Sequence, residues 1–301
     1  MAWRAPDLLD EDFARILARN GIHGFECVWN LDHRWVQAPN ERHGGWAGVA
    51  RHEWIDADGE ASAWYLKVHR GRVSRGLGSL LLGAPTLRRE HGTLLRLVEE
   101  GFPVTRPVLY AERRVEGEHR ALLATRELDG FRSVTALGRE WRDRGWPPPS
   151  RRTALLRAAA SLLRRLHDRR WKMNAFTAWH LMVREGEGVP ELRLLDLERA
   201  KRTLFPGYAR TKDLGVLERS APLWSRTDRL RFLLAYLGAE RLDRRGRRIW
   251  RSVQSRRRGE GWSWRDPGRG RARGRTPESV LEAAESGWRA REESNPQPSD
   301  P

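Results

Sequence analysis

The order of the periodic segments constrains the fold of this chain more than any other feature. Residues 25–67 alternate apolar and polar positions, with turn sequences at 38–40 and 56–59, which predicts a meander of strands. Residues 107–113 and 119–127 predict two further strands. The first part of the chain is therefore predicted to be rich in strands.

Helical patterns flank and follow these strands. Residues 7–20 predict a short amphipathic helix, and residues 85–99 carry leucines on roughly one helical face. Beyond the strands the pattern is mainly helical, at residues 151–170, 225–237 and 242–252, with an interrupting strand pair at 181–184 and 191–195. Strands first and helices afterwards indicate an α+β protein of two lobes, which we place at residues 1–128 and 129–254.

The overall composition permits one large core or two lobes. The chain has 301 residues, of which 39% are hydrophobic. Its longest apolar runs are too short to span a bilayer, and its amino terminus lacks the apolar run of a signal peptide. The single cysteine, Cys27, excludes an internal disulfide framework and fits a reducing compartment. We expect a cytoplasmic protein in which Cys27 is a buried structural thiol.

The formal net charge of +17 indicates an anionic partner. Nucleic acid, an anionic membrane and a phosphorylated substrate are the usual candidates. The sequence has no zinc-finger spacing, RNA-recognition signature or basic zipper, and its charge is dispersed rather than gathered in one arm. Nucleic acid is therefore not favoured, and part of the excess charge is a solvated Arg-rich surface.

Residues 255–301 differ in composition from the rest of the chain. They are rich in Arg, Gly and Pro and poor in apolar residues, so burial cannot offset the entropy of ordering them. We predict a disordered tail with a short helix at 277–290. An RNA- or membrane-binding role for the tail rests on composition alone, and an inert extension is favoured.

Lysine usage singles out one position in the predicted strands. Only four of the 57 basic residues are Lys, and Lys67 is the only one in the first 171 residues. The Lys side chain ends in a compact ammonium on a flexible chain, whereas the Arg side chain ends in a planar guanidinium. A strand position that has Lys in this Arg-rich sequence is therefore a candidate phosphate ligand. A snorkelling Lys at a strand end is the alternative.

A glycine-rich segment precedes Lys67. Gly44, Gly45 and Gly48 lie between two predicted strands. Glycines, which lack a Cβ, allow backbone amides to approach phosphates closely. An ordinary hairpin would also explain these glycines.

Two acidic residues complete an ordered set with Lys67. Glu90 lies in the predicted helix at 85–99, and Asp196 follows the apolar strand near residue 195. A Lys held by a helix Glu can reach the α- and β-phosphates of ATP, and a strand-end Asp can hold Mg²⁺ there. Asp196 alone could equally be a strand-end cap. The order and spacing of the glycine segment, Lys67, Glu90 and Asp196 are together typical of a protein-kinase-like phosphotransferase.

Several strings also resemble a known family. Residues 65–71 (YLKVHRG), 195–200 (LDLERA), 212–215 (KDLG) and 226–233 (RTDRLRFL) resemble the lipopolysaccharide core kinases of Gram-negative bacteria, the InaA/WaaP type. The resemblance covers roughly residues 30–250. It implies a small kinase-like fold that phosphorylates an inner-core sugar, heptose or Kdo, using ATP and Mg²⁺. The implied partners are a lipid A-linked core sugar and the anionic membrane, at the cytoplasmic face of the inner membrane.

The resemblance also implies roles for individual residues. Lys67 and Glu90 form an ion pair, and Asp196 is a magnesium ligand. Residues 126–128 resemble the hinge that lies along the adenine, which adds Glu127 and Leu128 to the nucleotide-binding glycines. His180 matches the loop position at which kinases often have a metal-binding Asn.

The catalytic loop departs from the family pattern. The family has His-Arg-Asp or His-Arg-Cys, followed five residues later by His, whereas residues 173–180 read MNAFTAWH. Ala175 therefore replaces the catalytic Asp, and no carboxylate of the loop can accept the proton of the substrate hydroxyl. We expect His180 to position Mg²⁺ and any activity to be slow. A catalytically impaired kinase-like scaffold in envelope biogenesis is the alternative.

Two further residues receive structural roles. His167, at the end of the helix predicted at 151–170, is expected to pack or cap. Asp213 is expected to tether the catalytic loop or to cap a helix rather than to take part in chemistry.

Overall fold

A computed structural model describes residues 3, 7–42, 44–56, 58–74, 84–221 and 223–257. The chain divides into two compact units. Of the described residues, those up to Arg88 together with Pro107–Glu127 belong to the first unit, and Arg89–Arg106 with those from Leu128 to Arg257 belong to the second. The tail from residue 258, with the helix predicted at 277–290, lies outside the described residues.

The chain from Leu8 to Arg126 forms most of the sheet structure. Its elements are β1 (Leu8–Leu9), α1 (Glu11–Arg19), α2 (Phe25–Trp29), β2 (Trp35–Arg42), β3 (Gly45–Ile55), β4 (Ala61–Arg70), β5 (Val73–Ser74), β6 (Ala84–Pro85), α3 (Thr86–Glu99), β7 (Pro107–Val115) and β8 (Glu118–Arg126). An antiparallel six-stranded sheet runs in the order β1-β7-β8-β4-β3-β2. The predicted strand-rich first part is confirmed.

The core of the first unit lies on one face of this sheet. Asp10 caps the N-terminus of α1, and its carboxylate accepts hydrogen bonds from two amides of the first turn. Phe13, Ile16 and Leu17, which share one helical face, pack against buried residues of the sheet such as Leu66. The helix predicted at 7–20 is confirmed, except that its first residues form the edge strand β1.

Three local predictions for this unit are wrong. Residues 38–40 are not a turn but lie within β2, where the register against β3 shifts between Gln37 and Asn40. β2 is an edge strand, and an edge or a bulge tolerates Pro39 because the missing amide breaks no ladder bond. Residues 25–29 form α2 instead of a strand. Cys27 is exposed rather than buried because Phe25 and Val28 occupy the inner side of that helix.

The second unit is mainly helical after residue 128. Its elements are β9 (Arg132–Ser133), α4 (Val134–Arg144), α5 (Pro149–Asp168), β10 (Trp171–Lys172), β11 (Leu181–Arg184), β12 (Glu191–Leu194), β13 (Lys201–Arg202), α6 (Pro206–Ser220), α7 (Arg226–Leu237) and α8 (Arg244–Arg257). The predicted helices correspond to α5, α7 and α8, and the predicted strand pair is β11–β12. None of the described helices combines the length and hydrophobicity that crossing a bilayer requires.

Two helices of the second unit were not predicted from the sequence. α4 contains β-branched Val134 and a central Gly138, and α6 contains Gly207 and Gly215, all poor helix formers. Tertiary packing outweighs these propensities, because both helices bury one side against the unit. α6 matters for the candidate site, since it carries Asp213.

Candidate active site

Lys67 occupies the interior of a central strand. Its register partners are Val49 of β3 and Leu123 of β8, so the alternative of a strand-end Lys is wrong. Because Leu66 and Val68 face the core, Lys67 and His69 project from the opposite face of the sheet. Burial, with the charges of Lys67 and Arg72, lowers the pKa of His69 to about 3. His69 is therefore neutral and adds no charge beside Lys67.

The predicted glycine segment forms the β2–β3 turn and the start of β3. Gly44 lies in the turn with φ +77°, which favours glycine. A Cβ on Gly45 would lie 2.3 Å from the carbonyl oxygen of Arg70, and a Cβ on Gly48 would lie 2.5 Å from the Trp35 ring. Packing within the unit accounts for Gly45 and Gly48. The space around Gly44 is open, so the turn is the part of this segment that a ligand can approach.

Glu127 follows β8 and is held within the first unit. Its carboxylate accepts hydrogen bonds from Nε and Nη2 of Arg51, at 3.0 and 2.8 Å, and from the Tyr65 hydroxyl at 3.0 Å. Burial opposes ionisation of this carboxyl, but the Arg51 hydrogen bonds outweigh it and hold the pKa below its usual range. Its amide donates to the carbonyl of Ala63. Neither the carboxylate nor the amide of Glu127 is therefore free for a nucleotide.

Glu90 and Leu128 belong to the second unit. Glu90 lies on α3, and only 3% of its surface is exposed. A carboxylate so deeply buried is stable only beside a cation or hydrogen-bond donors, which is the property that the predicted ion pair requires. Leu128 is half-buried, and its carbonyl accepts a hydrogen bond from the amide of Phe131 at 3.1 Å.

The β11–β12 hairpin brings His180 and Asp196 together. Leu181 pairs with Leu194, and the amide of Leu195 donates to the carbonyl of His180 at 2.9 Å. As a result Nε2 of His180 lies 3.6 Å from Oδ2 of Asp196. Asp196 has a left-handed backbone with φ 53°, a conformation that is uncommon outside glycine and frequent at functional sites.

The hydrogen bonding of His180 shows which of its nitrogens can bind a cation. Nδ1 lies 3.4 Å from the carbonyl oxygen of Ala175, and in the tautomer that carries its proton on Nδ1 the lone pair of Nε2 faces Asp196. Mg²⁺ is usually held by one or two carboxylates and the substrate phosphates. The described residues contain no cluster of three or more His, Cys, Asp or Glu that could hold a metal ion alone. The pair fits a cation shared with a nucleotide.

Asp213 fixes the start of the catalytic loop. Its side chain is fully buried and accepts hydrogen bonds from the amides of Met173 and Asn174, at 2.7 and 2.8 Å. It also lies 3.2 Å from Nε2 of His167, whose other nitrogen contacts the Tyr236 hydroxyl at 2.8 Å. The structural roles predicted for Asp213 and His167 are confirmed.

Asn174 joins the loop to the two segments that follow it. Its backbone has φ 60°, and its side-chain nitrogen Nδ2 donates a hydrogen bond to the carbonyl of Arg199 at 2.8 Å. Its side-chain oxygen accepts from Nζ of Lys212 at 3.0 Å. Ala175 offers only a methyl group and its backbone. The loop is thus well ordered by hydrogen bonds while lacking a carboxylate.

A cluster of lysines beside the loop was not predicted. Lys172 and Lys201 are register partners on β10 and β13, and Lys212 of α6 contacts the loop through Asn174. Burial, and next the charge of Lys172, lowers the pKa of Lys212. Three of the four lysines of this Arg-rich chain therefore gather here. The rarity of Lys in the sequence was a usable signal, since it singles out these three positions as well as Lys67.

Comparisons with known proteins show which proteins this chain is similar to. A sequence model of the lipopolysaccharide kinase (Kdo/WaaP) family matches residues 26–236. Protein InaA of Escherichia coli (strain K12) is 28% identical over 201 residues, which are 65% of this chain and 87% of InaA. A solved structure of WaaP in complex with acyl carrier protein matches with a TM-score of 0.60 and 26% identity, covering 84% of this chain and 97% of that one.

These similarities confirm the predicted kinase-like α+β fold. They extend over most of the chain and include the segments that carry Lys67, His180 and Asp196. The chain therefore belongs to the lipopolysaccharide kinase (Kdo/WaaP) family.

Proposed function

We propose that this protein transfers the γ-phosphoryl group of ATP to a hydroxyl of an inner-core sugar of lipopolysaccharide, heptose or Kdo. The observation that carries the proposal is the approach of His180 Nε2 to Asp196 Oδ2, at 3.6 Å, on a loop held by Asp213. This approach lets the imidazole and the carboxylate serve as two ligands of one cation, which in this proposal would be nucleotide-bound Mg²⁺.

Each remaining residue has a role in this proposal. In this proposal Lys67 would bind the α- and β-phosphates, with Glu90 as the acid predicted to pair with it, and the turn at Gly44 would offer backbone amides to the phosphates. Because the amide and carboxylate of Glu127 are engaged within the first unit, adenine contacts come from backbone groups of Arg126 and Leu128. Asp196 and His180 hold Mg²⁺, which neutralises phosphate charge when bound.

The loop compensates in part for the missing carboxylate. Phosphoryl transfer depends mainly on positioning and charge stabilisation, so a reaction without a catalytic base is physically possible. Asn174, which precedes Ala175 in the loop, accepts a hydrogen bond from the ammonium of Lys212, and this ammonium would stabilise the negative charge of the transferred group. The substrate hydroxyl loses its proton late, to solvent or to phosphate. The resulting activity is slow.

The proposed acceptor sugar is anchored in the membrane, so the protein has to reach the membrane surface to phosphorylate it. We place the protein in the cytoplasm, at the inner face of the inner membrane, where its net charge of +17 favours anionic lipid. Because the solved WaaP structure contains acyl carrier protein, that protein is a further candidate partner.

A second candidate is a kinase-like scaffold that binds nucleotide without transferring phosphate. The presence of Ala175 in place of a loop carboxylate is the observation that favours it.

Two measurements separate the kinase from the scaffold. A thermal shift with ATP and Mg²⁺ that disappears in Lys67→Ala reports nucleotide binding, with Lys201→Ala as the matched control. Transfer of labelled γ-phosphate to purified core lipopolysaccharide reports the kinase. A nucleotide-dependent thermal shift without transfer, in wild type and in Ala175→Asp, favours the scaffold.

A further inference from the structure

The segment that joins β13 to α6 exposes large apolar side chains. Leu204 is 81% exposed, Phe205 is 73% exposed and Tyr208 is 48% exposed. The other exposed large apolar residues of the described ranges are Ile55, Val73, Trp146 and Val189, and none is adjacent in sequence to another. Isolated exposed apolar residues are ordinary, whereas a contiguous group marks an interaction surface.

The backbone of this segment is fixed. The amide of Thr203 donates to the carbonyl of Arg170 at 2.9 Å, and the amide of Phe205 donates to the Thr203 hydroxyl at 3.1 Å. Pro206 then starts α6, whose buried Ala209 donates to the carbonyl of Phe205 at 3.2 Å. The structure thus holds Leu204 and Phe205 outward from a hydrogen-bonded turn, so their exposure is a property of the fold.

Basic side chains border the apolar group. Lys201 is exposed and lies three residues before Leu204, and Lys172 is its register partner. Nζ of Lys172 lies 4.7 Å from the centre of the Tyr208 ring. Arg210, on the first turns of α6, is half-buried. Apolar side chains at the centre and lysines at the border match an anionic bilayer surface, where acyl chains lie beneath phosphate groups.

We propose that Leu204, Phe205 and Tyr208 insert into an anionic bilayer while Lys172 and Lys201 contact the lipid phosphates. This membrane-docking segment is residues 201–208. It pairs with β10, which leads directly into the catalytic loop at Met173, so docking brings that loop to the bilayer surface. The inference rests on the proposed function in one respect, since it explains how the protein reaches a membrane-anchored acceptor.

The test measures binding of the full chain to sedimented vesicles. One set contains phosphatidylethanolamine with phosphatidylglycerol, and the other contains only phosphatidylcholine. Leu204→Asp combined with Phe205→Asp is expected to weaken binding to the anionic vesicles about tenfold or more, because two apolar contacts are replaced by charges that the lipid repels. Lys172→Gln combined with Lys201→Gln is expected to weaken it about 25-fold, at about fivefold for each lysine.

The matched control is Val189→Asp. Val189 is 83% exposed, but it lies in the β11–β12 turn close to Glu187 and Glu191, outside the docking segment. This variant should bind vesicles like the wild type. Circular dichroism establishes that all variants are folded. Unchanged binding of the Leu204/Phe205 variant to anionic vesicles would overturn the inference, as would wild-type binding that does not depend on phosphatidylglycerol.

A second measurement separates this inference from the proposed function. Phosphate transfer is compared for lipopolysaccharide embedded in vesicles and for water-soluble core oligosaccharide from which the lipid has been removed. The Leu204/Phe205 variant should lose transfer to the embedded acceptor and keep transfer to the soluble one. If no variant transfers phosphate, the kinase proposal fails and the vesicle result still decides docking. If the variant binds vesicles normally but loses binding to acyl carrier protein, the segment docks that protein instead and the inference is wrong.

Discussion

Nε2 of His180 lies 3.6 Å from Oδ2 of Asp196, and the β11–β12 hairpin sets this distance. Asp196→Asn removes the negative charge but keeps the shape of the side chain. We expect phosphate transfer to fall about a hundredfold or more, because a metal-held phosphate contributes several kcal/mol to transition-state stabilisation. Radiolabelled transfer to core lipopolysaccharide measures the effect.

His180→Gln tests the same pair from the other side, and we expect a smaller loss because phosphates and Asp196 remain as ligands. Asp129→Asn, at an exposed acid of the same unit, serves as the control and should transfer normally. Full activity of Asp196→Asn would contradict the assigned metal site.

Asp213 should dominate the stability of the second unit. It is fully buried and meets two backbone amides and His167, so Asp213→Ala leaves buried donors unpaired. We expect the free energy of unfolding to drop by about 3–5 kcal/mol in urea titrations. Asp168→Ala removes an exposed carboxylate from the end of α5 and should change stability by no more than about 0.5 kcal/mol. Equal losses of unfolding free energy in the two variants would contradict the role of Asp213 in holding the loop.

The buried His69 predicts a pH dependence of stability. Burial, then the charges of Lys67 and Arg72, lowers its folded pKa to about 3, whereas the unfolded value is about 6.5. Between these values the unfolded chain binds a proton that the folded chain does not. Its contribution to stability is therefore present above about pH 6.5 and is lost progressively as pH falls toward about 3.

His69→Gln should reduce this loss, by at most about 1.4 kcal/mol for each pH unit below about 6.5. Urea titrations at about pH 7 and about pH 5 measure the difference between wild type and variant. His23→Gln, at an exposed histidine of the same unit, is the control and should leave the slope unchanged. An identical slope in the His69 variant would show that His69 is not the group responsible.

Restoring a carboxylate to the loop should raise activity. The loop geometry is already set by Asp213 and Asn174, and Ala175 is only half-buried, so in the proposed mechanism an Asp at this position would be able to accept the proton of the substrate hydroxyl. We expect Ala175→Asp to increase the transfer rate about tenfold or more, since a general base contributes about a hundredfold when well placed. Ala175→Asn controls for size without the charge. A gain in both variants would show that the base is not the missing element.

Short-range sequence patterns predicted much of the secondary structure of the first unit. The alternation along β4 predicted a strand, and it correctly implied that Lys67 stands in that strand among apolar neighbours. The turn at residues 56–59 was predictable because the Asp56 carboxylate accepts hydrogen bonds from amides two and four residues later, a purely local arrangement. The position of Asp196 just after a short apolar strand was likewise predictable, while its role as a metal ligand stays a prediction.

The tertiary structure decided what local signals could not. Pro39 looked like a turn residue, but an edge position lets it remain in β2, and Cys27 is exposed because its neighbours take the buried side of α2. Helices α4 and α6 overcome weak propensity by burying a face. The sequence by itself determined the strand and helix periods and the residue types of the candidate site. Only the fold brought His180 to Asp196 and joined Lys172, Lys201 and Lys212, since these contacts link segments that no local pattern connects.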